Sequence, residues 1–179
     1  YLCSNLFKEF GLPSSNIHIS TGKYVIYKPE DVAKGKKKGE TIRSDIPKSI
    51  ETCKDGHFTV GHLGYDDKTR LLLEGWKKVV LFRDEGEREQ SFKAWVEDAG
   101  RKWSDGVHSR YVTDIPKNVA KWENQKDTFR LDFDDMININ VEKLDALQEY
   151  LFGEVKHDSA QCMQRALDAD SLTKSKKRK

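Results

Sequence analysis

Three cysteines in 179 residues, at positions 3, 53 and 162, are too few and too scattered for a disulfide framework. An odd, dispersed count suits free thiols in a reducing compartment. The chain also has little proline, only four residues. No apolar run approaches the roughly 18–20 residues that span a bilayer. The first residues show no basic stretch followed by an apolar one, so no signal peptide is expected. The sequence opens on Tyr1 rather than Met, which reads as an excised fragment of a longer protein. There is no P-loop, no His-Glu-x-x-His helix and no nucleophile elbow. The familiar enzyme signatures are therefore missing.

What is present is a well-solvated chain that can still build a core, 36% hydrophobic and 35% charged. Four Trp, six Tyr and eight Phe argue against disorder. The formal net charge is +2, but five positive charges sit in the last six residues, Lys174 to Lys179. The rest of the chain is thus net negative. An electrostatic case for nucleic acid has to rest on local patches.

The residues 73–153 read as one α/β unit. Lys78-Val79-Val80-Leu81-Phe82 is an apolar strand. Phe92, Trp95, Val96 and Ala99 follow at helical spacing in a helix expected over 88–99, stopped by Gly100. A strand is expected at 109–113, with a further short one near 101–103. A helix follows over 117–126, and then a strand at either 128–133 or 136–139. A last helix over 141–152 carries Val141, Leu144, Leu147 and Leu151, with Asn140 as N-cap. The expected core is Val79, Leu81, Phe92, Val96, Val112, Leu144 and Leu147.

Residues 1–72 give weaker signals. A helix is expected over 1–12, with Leu2, Leu6, Phe7 and Phe10 on one stripe. Short strands are expected at 17–19, 23–27 and 57–60, a helix at 48–54, and either a short helix or a link to the second unit at 67–74. Residues 157–179 read as a polar segment with a short helix around Cys162–Leu167 and a basic tail. Ser44-Asp45-Ile46-Pro47-Lys48 is echoed by Thr113-Asp114-Ile115-Pro116-Lys117. Phe58 with Asp66-Asp67 follows the first, and Phe129 with Asp134-Asp135 the second. Lys23–Tyr27 likewise echoes Lys78–Phe82, at a different spacing. Either the chain is duplicated with a shorter middle in its first copy, or the echo is coincidence.

The element order in 73–153 resembles a BRCT domain. The resemblance rests on Leu73-Glu74-Gly75 before the first strand, Ala99-Gly100-Arg101-Lys102-Trp103 closing the first helix, Ser109-Arg110-Tyr111-Val112 as the third strand, and Val141-Glu142-Lys143-Leu144 opening the last helix. The chain departs from the family at two diagnostic positions. It has Ala99-Gly100 for the usual Gly-Gly, and Lys143 for the usual Trp. The resemblance implies an α/β fold of two small three-layer units. They would be a degenerate BRCT-like or other small α/β unit in 1–72 and a BRCT-like unit in 73–156. The second would hold a central, mostly parallel four-stranded sheet flanked by helices. It implies a non-enzymatic module that binds a phosphorylated peptide, in a nuclear chromatin, DNA-repair or chromosome-segregation protein. It implies no cofactor.

Four candidate sites follow. By the resemblance, a hydroxyl and a glycine N–H after the first strand and a lysine from the second helix hold the phosphate. Ser20, Thr21, Gly22 and Lys48 match those roles. The alternative is an ordinary turn and a surface lysine. The second unit has Arg83-Asp84 where the hydroxyl and glycine would be. Lys34, Lys36, Lys37 and Lys38, with the basic tail, are candidate nucleic-acid contacts. The tail also reads as a nuclear-import signal. Cys53, His57 and His62 lie close in sequence, but structural zinc wants four ligands and no further pair exists. Asp132, Asp134 and Asp135, echoed by Asp66-Asp67, could hold Mg²⁺ in a phosphodiesterase. A loop or helix-cap role is the alternative.

Overall fold

The computed structural model describes residues 2–20, 23–26, 40–42, 50–51, 53–98 and 115–177. It is a mixed helix and strand structure of the α/β class. Two compact units are present: Gly75–Glu154, and Tyr1–Glu74 together with Val155–Lys179.

In the first unit, α1 (Leu2–Glu9) buries Leu2 and Leu6, and Phe10 continues that stripe one turn later. Gly11, at φ +76°, ends the helix in the left-handed region that glycine adopts at little cost. Strands β1 (Ser14–Ser20), β2 (Lys23–Ile26), β3 (Glu40–Ile42) and β4 (Phe58–His62) form one sheet in the order β3-β2-β1-β4. β1 is antiparallel to β2 and parallel to β4. Phe58 is buried against Phe7, the ring centroids 5.4 Å apart in an edge-to-face pair. Asp66 caps α2 (Asp67–Leu72) by accepting the Thr69 N–H at 2.8 Å.

In the second unit, β5 (Lys78–Phe82) pairs in parallel with β6 (Thr128–Asp132), with Leu81 opposite Leu131. Helix α3 (Glu85–Asp98) follows β5, and α4 (Ile115–Glu123) precedes β6. α5 (Phe133–Ile137) and α6 (Val141–Phe152) complete the unit. Arg130 reaches Glu123 of α4 at 3.2 Å, whereas the adjacent Phe129 meets Tyr150 of α6, ring centroids 5.4 Å apart. Neighbouring strand residues point to opposite faces. The strand pair therefore lies between α4 and α6. Leu131, Leu144 and Leu147 are fully buried, and Val96 and Trp122 nearly so.

Several expectations need correction. Residues 136–139 are not a strand. Phe133–Ile137 is a helical turn that buries Met136, and Asp134 and Asp135 suit its positive amino end. The strand is 128–132. Leu81 is 49% exposed rather than core, and Val79 and Phe92 are only half-buried. α3 begins at Glu85, a turn earlier than expected. Residues 159–177 are not a polar segment with a short helix but one 19-residue helix, α7 (Ser159–Lys177), packed on α1. Cys162, Met163 and Ala166 form its buried stripe, and Arg165 Nε donates to Glu9 Oε2 at 2.6 Å. Of the expected four-stranded parallel sheet, two parallel strands are formed among the described residues. The strands near 101–103 and 109–113, with Val112, lie outside them.

Candidate functional site

Parallel strands end together, and in open α/β sheets ligands gather beyond their carboxyl ends. Among the described residues each unit has one such edge.

In the first unit the edge is made by β1 and β4. Ser20 is the last residue of β1, which lies between β2 and β4, so Ser20 is paired with Lys23 on one side and His62 on the other. The proposed hydroxyl donor therefore stands at the carboxyl end of the parallel pair, immediately before Thr21-Gly22 in the chain. Thr21, Gly22 and Lys48 themselves lie outside the described residues, as do Lys34, Lys36, Lys37 and Lys38. His62 shares the edge with Ser20. Its place there comes from a long-range pairing that no local pattern announces.

In the second unit the corresponding edge is filled by the protein's own charges. Asp84 Oδ1 accepts the Gly86 N–H at 2.9 Å and the Glu87 N–H at 3.3 Å, at the start of α3. Those are the helix-end donors that an anion would use. Arg83 pairs with Glu87 at 3.3 Å and lies 4.4 Å above the Phe133 ring. Arg130 lies 3.8 Å above the Phe82 ring. Its guanidinium donates to Asp132 through Nε at 3.0 Å and Nη2 at 2.8 Å. That bond, more than the nearby carboxylates, raises the Arg130 pKa.

The acidic residues have structural tasks. Asp132 holds Arg130, and Asp135 Oδ1 accepts Asn140 Nδ2–H at 2.8 Å. Asp66 caps α2, and the Thr69 N–H holds its carboxyl below the usual value. Asp67 pairs with Arg70 at 3.5 Å. Among the described residues no group of three or more His, Cys, Asp or Glu is placed to hold a metal ion. His57 shares a 3.0 Å hydrogen bond between its Nδ1 and the Asp55 carbonyl. Burial raises all three thiol pKa values, Cys3 to about 12, so none is primed as a nucleophile at neutral pH.

No helix among the described residues is long and apolar enough to cross a membrane. No family model, no curated protein and no solved structure matches the chain.

Proposed function

We propose that this chain is a non-enzymatic, BRCT-like tandem interaction module. Its first unit binds a phosphorylated peptide, as part of a nuclear chromatin, DNA-repair or chromosome-segregation protein. The observation that carries the reading is the position of Ser20 at the carboxyl end of the parallel pair β1/β4, directly followed in sequence by Thr21-Gly22. A hydroxyl, a glycine N–H and the Lys48 ammonium together suit a phosphate monoester. The second unit carries Asp84 at the equivalent strand end, where its carboxylate occupies the helix-end donors.

The internal echo supports a tandem arrangement. After Ser44–Lys48, Ile50 and Glu51 are helical; a turn with Gly56 at φ +71° follows, then β4, parallel to β1. After Thr113–Lys117, α4 ends in a turn with Asp127 at φ +58°, then β6, parallel to β5. In both units helical residues, a left-handed turn and a parallel strand come after the start of the echoed motif, the second unit's helix beginning within it at Ile115.

The test is binding to a phosphothreonine peptide pool and its unphosphorylated counterpart by fluorescence anisotropy. Lys48→Ala should weaken phosphopeptide binding roughly tenfold or more, since a charge-assisted contact is worth about 1.5–3 kcal/mol. Lys117→Ala should have much less effect. Equal binding of the two pools would overturn the reading.

A further inference from the structure

The second unit contains a cation that the peptide reading does not use. Arg88 lies in the first turn of α3, and its Nε and Nη2 are buried with no hydrogen-bond partner among the described residues. Three acids next to it in the sequence have other partners: Glu87 pairs with Arg83, Glu89 with Lys93 at 2.8 Å, and Asp84 with backbone N–H groups. A buried charge is normally paired, because leaving it unpaired is costly. An orphaned buried donor in a native structure calls for an ion or a water to satisfy it.

The two orphaned nitrogens are chemically informative. Nε and Nη2 are the side-on edge of the guanidinium. Arg130, in the same unit, uses that same edge to hold the Asp132 carboxylate. Arg88 presents the fork without the oxyanion. Arg88 as a residue is half-buried, so its side chain touches both the interior and the surface. The α3 end donors cannot explain the site, since Asp84 already takes them.

We propose that Arg88 anchors an oxyanion site in the second unit, binding a phosphate group side-on through Nε and Nη2. The group would be either free phosphate or the phosphoryl group of a modified side chain. This site is separate from the Ser20 edge and does not rest on it.

The test compares thermal unfolding of the whole chain in inorganic phosphate and in chloride of equal ionic strength. Wild-type Tm should rise by about 2–4 °C once phosphate is several-fold above its Kd. Arg88→Met should be as stable as wild type, or more so, in chloride, because it removes an unpaired buried charge. It should show no rise with phosphate. Arg88→Lys should show little rise, since an ammonium cannot reproduce the fork. A phosphoserine peptide acting at lower concentration than inorganic phosphate identifies a modified side chain as the ligand; equal potency identifies free phosphate. In wild-type protein the Arg88 Nε–H resonance should shift as phosphate is added, a readout independent of any variant's folding. The proposal is overturned by equal phosphate responses in wild type and Arg88→Met, by an unmoved Nε–H resonance, or by an Arg88→Met variant markedly less stable in chloride.

Discussion

The Tyr150 hydroxyl accepts the backbone N–H of Lys78 at 2.8 Å, joining α6 to the first residue of β5. The same hydroxyl donates to the Asp127 carbonyl, which also accepts the Lys78 N–H at 2.9 Å. One side chain thus ties together the amino ends of both parallel strands. Burial raises the Tyr150 pKa, against the lowering effect of its hydrogen bond to Lys78. Tyr150→Phe should destabilise the second unit by about 1 kcal/mol, the net worth of a typical hydrogen bond. The Asp127 carbonyl still serves Lys78, so the loss should not be larger. The shift in urea midpoint at unchanged m-value measures it.

Core truncations should separate real packing from apparent pattern. Leu144→Ala and Met163→Ala remove fully buried side chains, one in each unit. Each should cost about 2–5 kcal/mol. Leu81→Ala should cost much less, because the side chain is half-exposed. The Met163 variant also tests whether α7 is integral to the first unit. Denaturant unfolding of the three variants decides the ranking.

Helix α6 was legible because its signals are local. Asn140 caps it, accepting the Lys143 N–H at 3.3 Å, and Gly153 ends it at φ +81°. Met136-Ile137-Asn138-Ile139 misleads because its two isoleucines favour strands, while the burial of Met136 favours the helical turn. Propensity yields to tertiary packing there. α7 was underestimated because its charged carboxyl half masks a short apolar stripe. A capping signal was nevertheless present: Asp158 accepts the Gln161 N–H at 3.0 Å and its side-chain amide at 2.9 Å. At the candidate site, the end of β1 was legible to within one residue, since a strand was expected at 17–19 and β1 runs from Ser14 to Ser20. The neighbouring His62 was not, since parallel pairing joins strands far apart in sequence. Arg88 was equally hidden, because an unpartnered side chain is a property of packing.

Asp66 predicts an acid dependence. Its folded carboxyl lies below the ordinary value of 3.8, chiefly through the Thr69 N–H. A depressed folded pKa means that its stabilising effect is complete above the ordinary value and is lost as pH falls through the folded one. Asp66→Asn keeps a capping acceptor but cannot titrate. Between about pH 5 and pH 2 the wild type should therefore lose more first-unit stability than the variant. Equal acid sensitivity, followed by the α2 amide resonances, would show that Asp66 is not responsible.

The central claim is that phosphate is read at the carboxyl edge of β1, and amide-resolved NMR tests it most directly. A phosphothreonine peptide pool should shift the backbone amides of Gly22, Lys23 and His62 in wild-type protein, while the unphosphorylated pool leaves them in place. Lys48→Ala should sharply reduce those shifts. Unmoved amides at residues 20–23, or equal shifts from the two pools, would contradict the claim even if Arg88 responds to phosphate.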